Sequence, residues 1–190
     1  MSGAEKLVNI LIVYDSKTGN TKRAAHLISE GVRSAGDVKC VVKRVDETSL
    51  NDLLEADGII IGSPTYFGLM SAKVKALLDK SVEIHGKLEG KVGAAFTTSG
   101  GTATGAETTL LSIIEALLIH GMIVQGNPED KHYGLAVVEA PESDEDKELC
   151  KEFGRRVARL TLKIFGGGNG RTCLESGYDE GRCVSCRRGT

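Results

Sequence analysis

Apolar residues in this chain fall into short unbroken runs, separated by longer stretches in which they recur every three or four positions. The runs "LVNILIVY" (7–14), "ADGIIIGS" (56–63) and "KVGAAFTTS" (91–99) have strand length and little alternation. Such strands are buried on both faces, as in a parallel sheet covered by helices. "VKCVVKRV" (38–45) alternates instead and predicts a strand nearer an edge. "MIVQG" (122–126) begins a fifth strand, and "YGLAVVEA" (133–140) reads as its continuation after an insertion. Helical periodicity covers about 20–35, 50–55, 71–82, 105–120 and 143–165, the last with Ser143 or Asp144 as its cap. The alternating order of strands and helices predicts an α/β domain with a five-stranded parallel sheet between helix layers. No internal repeat is visible. The glycines of "GGGNG" (166–170) close the last helix, so the domain is placed at 1–165 and a Gly- and Cys-containing tail at 166–190.

Length and charge narrow the picture. The chain has 190 residues, 41% hydrophobic and 26% charged, with a net charge of −2. That suits one globular domain and gives no reason to expect nucleic acid or an anionic membrane surface as partner. No apolar stretch approaches the ~20 residues that span a bilayer. The opening "MSGAEKLVNILIVYDSKTG" lacks the order of a signal peptide, so a cytoplasmic protein is expected. The 5 cysteines are an odd count and do not form a disulfide framework. Cys183-x-x-Cys186 with Cys173 lacks the fourth ligand of a closed metal site, and a disulfide or free thiols fit it better.

The candidate chemistry lies where strands end. "DSKTGNTK" (15–22) joins the first strand to the first helix. A helix starting near Asn20 points free N–H groups at whatever the loop holds, which favours an anion. The helix dipole gives only ~0.3–1 kcal/mol per charge. Several charge-assisted hydrogen bonds at ~1.5–3 kcal/mol each are needed as well. Ser16, Thr18, Asn20 and Thr21 can supply them, and Gly19 allows positive φ or close approach. An ordinary helix cap with nothing bound would use the same residue types. No G-x-x-x-x-G-K-[ST] and no G-x-G-x-x-G after a strand occurs, which sets aside P-loop nucleotidases and dinucleotide folds. After the third strand come Pro64, Tyr66, Phe67 and Gly68, in a chain only 4% aromatic. After the fourth comes the polar loop "SGGTATG" (99–105). Phosphate, aromatic plane and polar ring edge together describe a flat phosphorylated cofactor.

These motifs carry a resemblance. "S-x-T-G-N-T" at 16–21 resembles the phosphate loop of flavodoxins. "GSPTYFGLMSAKVKALLD" and "TTSGGTATGAETTLL…HGMIV" resemble flavodoxin-like NAD(P)H:quinone oxidoreductases, the family often called tryptophan-repressor-binding proteins. The similarity covers roughly 7–165 and implies a flavodoxin-like three-layer sandwich with FMN as cofactor. It implies that Ser16, Lys17, Thr18, Gly19, Asn20 and Thr21 surround the phosphate. Pro64, Thr65, Tyr66, Phe67 and Gly68 would line the isoalloxazine. Thr98, Ser99, Gly100, Gly101 and Thr102 would meet the ring edge or ribityl chain. The chain departs from those relatives in having no Trp, only Ile119–His120 where they carry a double His, and a short 46–56 where they carry an insertion that helps form tetramers.

The expected activity is reduction of quinone-type acceptors by NAD(P)H, with one-electron transfer to a redox protein as the alternative. A cofactor-free interaction module that has kept only the fold is a third reading. A homo-oligomer is compatible with the first. Among the histidines, His132 can approach the ring and His85 sits where relatives place the missing Trp. His120 is either a helix cap or a site residue, and His26 belongs to surface or packing.

Overall fold

The computed structural model describes residues 7–166. Along β1 (Val8–Tyr14), Ile10, Ile12 and Tyr14 face one hydrophobic cluster while Leu11 and Val13 face the other. The strand is therefore apolar on both sides, as its unbroken pattern requires. The same holds for β3 (Gly58–Pro64) and β4 (Val92–Ser99). β2 (Val38–Arg44) is half-exposed apart from the exposed Lys39 and lies at an edge. The order is β2-β1-β3-β4, all parallel, and one further position completes the sheet.

That fifth position is split. β5 (Ile123–Val124) pairs with Val92 and Gly93, and β6 (Leu135–Val138) pairs with Phe96 to Ser99 of the same strand. The intervening loop leaves the line of the sheet and returns at Gly134, where a Cβ would stand 2.3 Å from the Ala95 carbonyl oxygen. The sheet has six strands but five positions.

Helices α1 (Asn20–Arg33) and α5 (Asp144–Phe165) cover one face; α2 (Leu50–Glu55), α3 (Ala72–Lys80) and α4 (Ala106–Ile119) cover the other. The fold is thus a flavodoxin-like three-layer sandwich. Short helix α2 is held by a capping box in which Ser49 and Asp52 satisfy each other's backbone N–H groups. At α5, Ser143 is the cap, accepting from the Asp146 N–H. α1 and α5 touch backbone to backbone: a Cβ on Gly31 would lie 1.9 Å from the Lys151 carbonyl oxygen, and one on Gly154 would lie 2.1 Å from that of Ile28. Two 3₁₀ turns, Val45–Glu47 and Ser81–Ile84, were not foreseen. The tail with Cys173, Cys183 and Cys186 lies outside the described residues.

Candidate functional site

β1, β3 and β4 are neighbours, so the three loops singled out in the sequence leave the same edge of the sheet side by side. In the first, Gly19 takes φ 100° and caps α1 with no side-chain hydrogen bond, and no acid occupies the helix's first turn. The backbone N–H groups there are left for an outside acceptor. A Cβ on Gly19 would meet nothing within 4 Å, so the space over the turn is open. Lys17 and Thr18 are exposed and Asn20 is half-buried beside it. Ser16 is buried, and its Oγ accepts from the Gly19 N–H at 3.1 Å, shaping the turn while its own O–H stays available. Thr21 is buried and its hydroxyl lies 2.8 Å from that of Thr98, tying the first loop to the third. The turn fits a terminal phosphate: open, lined by hydroxyl, amide and main-chain donors, and free of first-turn carboxylates.

The second loop is a two-residue hairpin. Tyr66 and Leu69 exchange backbone hydrogen bonds of 3.1 and 3.0 Å, while Phe67 (φ 51°) and Gly68 (φ 75°) form the turn between them. Both positive φ values are those of a type I′ turn. For a bulky residue such as Phe67 this conformation is strained, at a cost on the order of 1–3 kcal/mol. The strain holds the Phe67 ring fully exposed, with Tyr66 and Leu69 exposed beside it. Below the turn the chain is tied down by hydrogen bonds. The Thr97 hydroxyl donates to the Ser63 carbonyl at 2.7 Å, so the hydroxyl of Thr65, 2.9 Å away, donates to Thr97. Thr65 N–H donates to the Thr98 carbonyl, and Ser71 N–H to the Ser63 hydroxyl. Pro64 and Thr65 are half-buried at the base.

The third loop meets the second at glycine. A Cβ on Gly105 would stand 2.8 Å from the Gly68 Cα, so these two backbones are in contact. Thr98 and Ser99 are buried, and the Ser99 hydroxyl donates to the Gly101 carbonyl at 3.0 Å. Gly100 and Thr102 are exposed, and a Cβ on Gly100 would meet nothing within 4 Å. Open turns thus flank a hydrogen-bonded floor of threonines and serines.

Residues 8–129 match the family model described as NADPH-dependent FMN reductase. The chain belongs to that family. It is 40% identical over 84% of its length to a flavodoxin of Aquifex aeolicus, covering 89% of that protein. It is 35% identical over 83% of its length to an NAD(P)H dehydrogenase (quinone) of Archaeoglobus fulgidus, covering all of it. Among solved structures, the WrbA-like flavodoxin of Agrobacterium tumefaciens superposes with a TM-score of 0.69 at 27% identity, over 83% of this chain and 99% of that one.

The remaining candidates of this FMN-reductase family member divide by position. His132 is brought beside the third loop, where Ser99, Gly101 and Thr102 share a cleft with it. His85 and His120 lie at the far ends of the α3 and α4 segments, away from the three loops, with ring centroids 5.9 Å apart. His120 caps α4 and is buried. The Ser81 hydroxyl donates to the Leu78 carbonyl, so His120 Nε2–H must be the donor to Ser81 Oγ, at 2.7 Å. Nδ1 is then bare and buried, with no partner among the described residues. Burial, and secondarily His85, holds this imidazole below its ordinary pKa. His26 is exposed, 6.5 Å from the Tyr14 ring. No group of three metal-ligating side chains occurs among the described residues.

Sequence reasoning missed Arg44, whose guanidinium donates to the Ser16 carbonyl at 3.5 Å. Only the register Tyr14↔Arg44 of the parallel pair brings it to the first loop. It also missed a cleft of about 320 Å³ between the third loop, α4 and β6.

Proposed function

We propose that this chain binds FMN across the three loops and uses NAD(P)H to reduce quinone-type acceptors in the cytoplasm. The observation that carries the reading is the open, side-chain-uncapped turn at Gly19, aligned on one sheet edge with the exposed Tyr66–Phe67 hairpin. Membership of the NADPH-dependent FMN reductase family and the quinone dehydrogenase relative support it. When bound, FMN supplies the redox chemistry; the protein supplies position and electrostatics. Ser16, Lys17, Thr18, Gly19, Asn20 and Thr21 would hold the phosphate. Pro64 to Gly68 would flank one side of the ring, and Thr98 to Thr102 its polar edge, with their backbone N–H groups stabilising negative charge there. The hydrogen-bonded threonine floor would hold that geometry.

The 40% identical flavodoxin favours a second reading, a carrier that passes electrons to a redox protein. Among the described residues no helix is long and apolar enough to cross a membrane. Self-association belongs to the same proposal and is sized by gel filtration.

The test is direct. The purified protein, titrated with FMN, should quench flavin fluorescence, and NADH or NADPH should then be oxidised rapidly when a quinone is added. The Thr18→Ala, Asn20→Ala pair should weaken FMN binding at least tenfold, about 1.4 kcal/mol. Full retention of FMN by that pair would refute the phosphate cradle. Inertness toward both nucleotides in an FMN-loaded protein would favour the carrier.

A further inference from the structure

We propose that the cavity between α5 and the split fifth strand is a second ligand site, and that it takes a small aromatic carboxylate. The site lies apart from the three loops and does not depend on the flavin reading.

The cavity follows from the break in the sheet. On β4, Gly93 pairs with Val124 and Phe96 with Leu135, so Ala94 and Ala95 between them have no strand partner on that side among the described residues. α5 supplies the facing wall, and the space left is about 210 Å³. An engineered cavity of roughly 150 Å³ in another protein holds one benzene, so a single ring with a short arm fits here. Val92, Gly93 and Ala94, which line the cavity, begin β4, whereas Thr98 and Ser99 of the third loop end it. The cavity therefore sits toward the opposite end of β4 from the three loops.

Its walls are apolar. Val92, Ala94 and Leu135 come from the sheet, and Leu149, Phe153 and Leu160 from α5. The three helix residues share one face and are each half-buried, so large apolar side chains stay partly uncovered there. A ring seated against them takes that surface out of water.

One cation lines this apolar wall without an ion pair. Lys147, Lys151 and Arg155, half-buried on the same helix, hold Asp144, Glu30 and the Glu148–Glu152 pair. Arg156 is half-buried too, and among the described residues it has no carboxylate partner. Its Nη2 donates to the Gly126 carbonyl at 3.1 Å, which ties the guanidinium to the insertion and leaves its other N–H groups for an acceptor. The acids on the wall do not compete for it. Glu152 is held by Arg155 and Arg159, and Asp130 by Lys131. Glu129 is exposed, and its charge is screened by solvent and salt. A guanidinium takes a carboxylate through two parallel hydrogen bonds. Phe153 and Arg156 are helix neighbours three apart, with Cβ atoms about 5–6 Å from each other, so the ring and the acid of one small molecule reach both. A dinucleotide is too large for the space, and a bare phosphate would leave the apolar wall uncovered.

The experiment uses the full-length protein with FMN in excess and titrates it calorimetrically with phenylacetate and with its neutral analogue, phenylacetamide. Phenylacetate should bind the wild type, about tenfold more tightly than the amide. Arg156→Met keeps the apolar stem and removes the charge; it should weaken phenylacetate about tenfold and the amide by no more than about twofold. Ala94→Leu fills the cavity and should weaken both ligands about tenfold while FMN binding, followed by fluorescence, persists. If Ala94→Leu does not fold, Arg156→Met alone decides. Absence of phenylacetate binding to the wild type would overturn the proposal, and so would an Arg156→Met protein that binds phenylacetate as the wild type does. Gel filtration at the same concentrations covers one other occupant: a dimer that excludes phenylacetate would mean that a second copy seats on this face, and would overturn the small-ligand site. None of these failures touches the flavin reading, which its own titration tests.

Discussion

Replacing Gly31 by alanine sets helix propensity against packing. In an exposed helix interior the change stabilises by about 1 kcal/mol. Here the new Cβ would stand 1.9 Å from the Lys151 carbonyl oxygen, 2.6 Å from its carbon and 2.7 Å from its Cα. A carbon and a carbonyl oxygen approach to about 3.3–3.6 Å at closest comfort, so the helices must part by roughly 1.5 Å. A gap of 0.5–1 Å already forfeits about a quarter to a half of each dispersion contact along the seam. Overpacking costs about 1–3 kcal/mol, and the top of that range applies because the obstacle is backbone. The expected net is a loss of about 2 kcal/mol, and Tm should fall by about 4–8 °C for a chain of this size. Calorimetry of Gly31→Ala, Gly154→Ala and the double variant checks it. The residues facing Gly31 and Gly154 lie on one seam, so the second substitution should cost less than the first. A Tm that rises, or two losses that simply add, would refute the reasoning. α1 also carries the Gly19 turn, so FMN affinity should fall with the parting of the helices.

Two other outcomes are expected. The folded state resists protonation of His120 because of burial and the neighbouring His85, whereas the unfolded chain takes the proton near its ordinary 6.5. The unfolded state therefore binds more protons below that pH, and stability falls on acidification from about 6.5 until the folded group titrates too. Urea unfolding at about pH 7.5 and about pH 5.5 should show the fall in wild type and a smaller one in His120→Gln; equal falls would contradict it. Burial pushes the Cys40 thiol up to about 11 and that of Cys150 up to about 12. In a protein with Cys173, Cys183 and Cys186 changed to serine, neither thiol should react quickly with Ellman's reagent near pH 8 until the protein is denatured, and rapid release by two thiols would be the contrary result.

What was legible in the sequence was local. Unbroken apolar runs marked β1, β3 and β4 as doubly buried, the alternating run marked β2 as an edge strand, and Ser143 or Asp144 marked the start of α5, where Ser143 is the cap. "DSKTGNTK" announced a helix start near Asn20 because the turn's chemistry is contained in consecutive residues, while the absence of a side-chain cap came from the structure. What escaped depended on residues far apart in the chain. Gly31 and Gly154 read as isolated helix glycines, since their partners are distant in sequence. Arg44 reaches the first loop only through strand register, and the cleft beside His132 exists only because the insertion folds back on α4. His85 and His120 were weighed as site residues, and they follow the far ends of the α3 and α4 segments, at the opposite end of the sheet from the three loops.

The broken fifth strand has a consequence for how molecules of this protein meet. A sheet's outermost strand is a template on which a foreign chain can add itself, and aggregation starts there. On that flank only Ile123–Val124 and then Leu135–Val138 are in line, parted by the insertion. On the other flank β2 presents exposed Lys39. Neither border offers a long, flat, uncharged ladder, so the architecture that opens a pocket on one side also discourages stacking of one sheet onto the next.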